Sequence, residues 1–65
     1  MSDVVVMANQ IAKNLARTGD TEAAVARHIA QFWPARMRRA LVAAEAAGAA
    51  LTPTAAGAAR RLAEP

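Results

Sequence analysis

There is no cysteine and no tyrosine in this 65-residue sequence. Without thiols it forms no disulfide and offers no thiolate to zinc or to an iron–sulfur cluster. A secreted disulfide scaffold and a zinc module are disfavoured from the outset. Aromatic residues are nearly absent too: Phe32 and Trp33, side by side, are the only ones. Acid is in short supply, with five Asp or Glu against eight Lys or Arg and a net charge of +3. A long apolar run is also missing. Residues 40–51 are apolar apart from Glu45, but they are mostly alanine, and Arg38-Arg39 and Thr52-Pro53 bracket them. A membrane-spanning helix needs roughly 20 predominantly apolar residues. The opening residues Met1 to Met7 lack the basic flank and extended apolar core of a secretory signal. The expected setting is cytoplasmic.

Alanine dominates what is present. It supplies 20 of the hydrophobic residues, and only 16 are larger. A free domain of this length buries about 60% of its chain surface. Ordering it costs on the order of 100 kcal/mol of conformational entropy. Small side chains add little area against that cost, and a self-contained enzyme is disfavoured. The expectation is one domain, residues 1–65, whose surface another chain completes.

Alanine is the strongest helix former, and Leu, Arg, Met, Gln and Glu follow it. No segment alternates as a half-buried strand does. The predicted fold is all-α: a small three-helix bundle over residues 3–48, with a short, marginal fourth helix or tail over 49–65. The first helix spans about Asp3 to Arg17, capped by Ser2 or Asp3. Its inward stripe is Val4, Met7, Ala8, Ile11 and Leu15, with Val6 stranded among polar neighbours. Thr18-Gly19-Asp20 stops it. The second helix starts at Asp20 or Thr21 and carries Val25, Ile29 and Phe32 inward. Pro34 ends it near Phe32. The third helix starts with Pro34 as its first residue, faces Met37, Ala40, Leu41 and Ala44 inward, and stops at Gly48. The fourth has Thr52 as cap, Pro53 in first position and a weak stripe of Ala55, Ala58, Ala59 and Leu62, weakened further by Gly57.

No catalytic constellation is visible. The one histidine, His28, has no second ligand at helical spacing, and Asp20 and Glu22 are accounted for as helix-start residues. No phosphate loop or Ser–His–Asp set occurs. Catalytic, cofactor-binding and metal residues are therefore expected to be none. His28 reads either as a helix-shoulder residue packed on Phe32, one turn away, or as a polar contact in a subunit interface. Adjacent helix positions point about 100° apart, so Phe32 and Trp33 do not both face one small core. Phe32 is assigned to the core together with Met7, Ile11 and Met37. Trp33 becomes either a lid over the Pro34 turn or an interface anchor. Arg36, Arg38 and Arg39 could contact phosphates, but the third helix lacks the Asn, Gln and Ser residues that often read base edges. A partner-facing or solvated basic side is the commoner explanation, and no nucleic acid and no membrane are expected as partners.

The residues assembled so far resemble a known family. Met7-Ala8-Asn9-Gln10-Ile11-Ala12, then Ala24-Val25-Ala26-Arg27-His28-Ile29, then Phe32-Trp33-Pro34-Ala35-Arg36-Met37-Arg38 are similar in order and spacing to the delta subunit of cytoplasmic NAD-dependent formate dehydrogenases. The likeness covers residues 4–45, and Gly48 and Leu51-Thr52-Pro53 also fit. In one place the sequence departs: the family usually has an acid and then Pro after the Phe-Trp pair, whereas Pro34 follows Trp33 directly here. The local start of the third helix is therefore in question.

The resemblance implies a non-catalytic accessory subunit. The complex oxidises formate with NAD. Its catalytic (alpha) subunit holds a molybdenum or tungsten pterin and iron–sulfur clusters, and other subunits hold FMN and further clusters. The small subunit carries no redox centre and supports assembly, stability or cofactor maturation. Carried onto this sequence, the expected partner contacts are Asn9, Gln10, His28, Trp33, Arg36 and Arg38. Competing readings are a stand-alone helical regulator or DNA-binding protein, and a self-associating helical module.

Overall fold

A computed structural model describes residues 3–16 and 22–64. Among the described residues four helices follow one another: α1 (Asp3–Ala16), α2 (Glu22–Phe32), α3 (Ala35–Ala46) and α4 (Pro53–Ala63). The all-α expectation is met. Ser2, Arg17, Thr18-Gly19-Asp20 and Thr21, read as cap and stop signals, lie outside the described residues.

The breakers act where their chemistry predicts. Trp33 still donates its N–H to the Ile29 carbonyl at 2.9 Å, and then Pro34 interrupts the ladder. Pro34 is the cap of α3 and not its first helical residue, with φ −59° and ψ 151°. Having no side-chain acceptor, it caps nothing. At the other end of α3, Gly48 takes φ +83°. Its N–H reaches Glu45 O at 3.1 Å and that of Ala49 reaches Ala44 O at 3.0 Å, which closes the helix in a Schellman motif. Thr52 caps α4 as expected, its Oγ1 accepting from the Ala55 N–H at 3.3 Å, with Pro53 next.

The core departs from expectation at single positions, such as Ala40 of α3, expected inward and found exposed, and in two larger ways. First, α4 is no loose tail. Ala55, Ala58 and Ala59 are fully buried, and the helix packs mainly against α2 and then α3. The radius of gyration is 10.3 Å, close to the ~10.7 Å expected of a compact chain of this length. With small side chains, dispersion contacts made over short distances take the place of bulk. Gly57 belongs to this device. The Glu22 carboxylate of α2 occupies the space where a Cβ at residue 57 would stand. Among the described residues, six of the eleven buried hydrophobic ones are alanine: Ala8, Ala12, Ala26, Ala55, Ala58 and Ala59.

Second, the two aromatics exchange roles. Trp33 is 7% exposed and joins the core, whereas Phe32 is 66% exposed. Val25, Ile29 and Trp33 stand four residues apart and so form one line along α2; Phe32 is rotated about 100° from it. The continued helical bond at Trp33 keeps it on that line. Met7 was also expected inside and is 39% exposed. The buried line of α1 is Val4, Ala8 and Ala12, so Met7 falls on its edge. Ile11 and Met37 are half-buried against the core. Val6, stranded in the sequence pattern, is 50% exposed.

Candidate functional site

The six residues expected to meet a partner divide into two groups. Three are engaged within the chain. Asn9 projects from α1 to the α3–α4 loop, where its Nδ2 donates to Ala50 O at 3.0 Å and its Oδ1 accepts the Thr52 N–H at 2.9 Å. One amide thus satisfies a donor and an acceptor of the backbone more than forty residues away. This tie holds Thr52 where it caps α4. Arg38 turns back from α3, and its Nη1 donates to Trp33 O at 2.5 Å and to Ala30 O at 3.5 Å. Those carbonyls are orphans of the α2 C-terminus, where a cation also suits the helix dipole. Trp33 itself is in the core.

The other three face outward. Gln10 is exposed on α1 beside Val6 and Lys13, and these border an open groove of about 500 Å³ that reaches Thr52 and Thr54. Arg36 is exposed in the first turn of α3. His28 is half-buried and lies against the exposed Phe32, with ring centroids 4.8 Å apart and planes at 46°. This tilted geometry is favourable for two rings one helical turn apart. Sequence reasoning found the His28–Phe32 contact but put the phenyl ring inside. The spacing of Val25, Ile29 and Trp33 was the signal that could have corrected it.

Charge is distributed unevenly. Glu22 pairs with Arg61 at 3.5 Å and Glu45 with Arg60 at 3.3 Å, so the two arginines of α4 are both matched. Residues 23–44 contain Arg27, Arg36, Arg38 and Arg39 and no acid at all. Among the described residues Arg27, Arg36 and Arg39 make no ion pair. A second open groove, of about 460 Å³, runs between α3 and the end of α4, with Arg38, Arg39, Val42 and Leu62 on its walls.

Among the described residues no three His, Asp or Glu side chains converge as a metal site would require. No described helix is long and apolar enough to cross a membrane. Comparison with curated proteins and with solved structures gives no match. Comparison with family models does: residues 3–59 match the model described as the NADH-dependant formate dehydrogenase delta subunit FdsD, and this chain belongs to that family.

Proposed function

We propose that the chain is a non-catalytic accessory subunit of a cytoplasmic NAD-dependent formate dehydrogenase, docking on the subunit that bears the active site and supporting its assembly, stability or cofactor maturation. The observation that carries this reading is the family match over residues 3–59. The arrangement of polar groups supports it. Asn9, Arg38 and Thr52 serve the chain's own turns, while Gln10 and Arg36 are exposed and His28 is half-buried.

The residues present do not fit the redox groups of such a complex. Clusters are held by cysteine thiolates, and the chain has none. Its one imidazole lies against a phenyl ring. The pterin metal, the iron–sulfur clusters, FMN and NAD are assigned to the other subunits.

The reading is tested by producing the complex with and without this chain. The yield of assembled complex and its molybdenum or tungsten and iron content are expected to fall severalfold without it. Turnover per bound metal is expected to stay the same in complexes that do assemble. A fully loaded complex that has lost a reaction step for want of this chain would overturn the non-catalytic assignment.

A further inference from the structure

The most exposed large apolar side chain in the described part of the molecule is Phe32, at 66%. It is also the sole phenylalanine of a chain short of bulk. His28 supports the ring from one side, which limits its motion and lowers the entropy lost on capture by another surface. Four residues further on is Arg36, exposed and without an ion pair among the described residues, and Arg39 is the same. Exposed Phe32 and unpaired arginines thus follow one another across the α2–α3 turn. Arg38 and Trp33 fix that turn from inside, so the outer residues are presented on a firm base.

We propose that this α2–α3 corner is the docking surface, with Phe32 as its anchor and Arg36 and Arg39 at its rim, and that its occupant is an acidic protein surface with an apolar pocket for the phenyl ring. This rests on the accessory-subunit reading and names the face that serves it. Charge decides among occupants. A second copy would bring the same acid-free stretch, residues 23–44, against its like, and like charges opposed across an interface repel. A partner with carboxylates around an apolar pocket gives each exposed group a match.

The experiment uses the full chain, tagged and produced together with the formate dehydrogenase subunits. Complex is measured by affinity capture over a range of salt. Phe32→Ala should weaken capture at least tenfold while leaving the melting temperature of the free chain unchanged, since the ring covers no core. Arg36→Glu with Arg39→Glu should weaken capture and flatten its salt dependence. Val6→Ser, beside Gln10 on α1, probes the rival face and should capture like the unaltered chain when the α2–α3 corner is the docking surface. Normal capture by both the Phe32 and the double arginine variants overturns this surface but leaves the accessory reading standing. Loss of capture in Val6→Ser alone moves the surface to α1. Failure of the unaltered chain to capture any subunit overturns both. Two further results would overturn the proposed occupant. One is a dimer of the free chain, seen by sedimentation, that Phe32→Ala dissolves. The other is binding to a labelled 20-nucleotide DNA that the same variant abolishes.

Discussion

The first and last helices of this small bundle differ more in sequence than in what they bury, for α1 too buries two alanines, Ala8 and Ala12, beside Val4. The sequence of α1 carries a bulky amphipathic stripe and α4 a meagre one of alanines. Yet α1 leaves Val6 and Met7 half in water, while α4 buries Ala55, Ala58 and Ala59 completely. Bulk is one way to fill an interior and proximity is another. Where side chains are small, two helices approach until backbone and Cβ atoms make the contacts that leucine would otherwise supply. An inventory of large apolar residues therefore undercounts what holds this chain together. The same substitution should have unlike effects in the two regimes.

The sharpest contrast is between the adjacent aromatics. Trp33→Ala empties a core position and should cost about 3–5 kcal/mol, enough to unfold much of a domain of this size. Phe32→Ala should cost less than about 0.5 kcal/mol in the free chain, because the ring is mostly in water. Thermal melting followed by circular dichroism measures both. Similar losses in the two variants would mean that burial at this corner is shared and that the division between core and surface is wrong.

In α4 the expected damage comes from enlargement. Ala58→Leu adds volume at a site with no exposure and should destabilise by about 1–3 kcal/mol through overpacking. Val6→Leu, the matching enlargement on α1, should change stability by no more than about 0.5 kcal/mol, since residue 6 is half in solvent. If Ala58→Leu is tolerated as well as Val6→Leu, α4 is not closely packed and the contrast drawn above fails.

Much of this was legible in the sequence, and the reasons are local. Pro34, Gly48 and Thr52-Pro53 are breakers or caps whose effect depends on their own backbone chemistry, so helix limits near them could be read directly. The stripes of α2 and α4 were legible from spacing, apart from the choice between two adjacent aromatics at a helix end. That choice depends on how far helical geometry persists before Pro34. The importance of α4 was not legible, because it depends on interhelical distance, which residue size allows but does not announce. The double bond made by Asn9 was equally hidden. Nothing near Asn9 signals that its amide matches the backbone around residue 51. Of the expected contact residues, sequence singled out Asn9 and Arg38, which have specific work, together with Gln10, His28 and Arg36. It could not distinguish work inside the chain, as for Asn9 and Arg38, from availability outside it, as for Gln10 and Arg36.

Asn9 is a test of that hidden tie. Asn9→Ala removes both bonds to the α3–α4 loop and loosens the position of the Thr52 cap. Net worth near 1 kcal/mol for each such bond is typical, and the partial access of water at this site reduces it. A loss of about 1 kcal/mol is expected, with faster hydrogen exchange at Thr52 and Ala55. Asn9→Asp keeps an acceptor for Thr52 but loses the donor to Ala50, so it should fall between the two. An Asn9→Ala chain as stable as the original would show that α4 is held in place without the tie.

The smallest effect is the most informative about close packing. Gly57→Ala should gain about 1 kcal/mol of helix propensity within α4. Its new Cβ would displace the Glu22 carboxylate, a group at the end of a flexible side chain whose pairing with Arg61 is well exposed and so contributes between about 0 and 1 kcal/mol. The two terms nearly cancel, and a change within about 0.5 kcal/mol is expected. Combining Gly57→Ala with Glu22→Ala separates them, because the ion pair and the obstructing carboxylate are both already gone in that background. If Gly57→Ala still destabilises by more than about 1 kcal/mol there, the obstacle is not the ion pair, and residue 57 itself sets how near α2 and α4 can come.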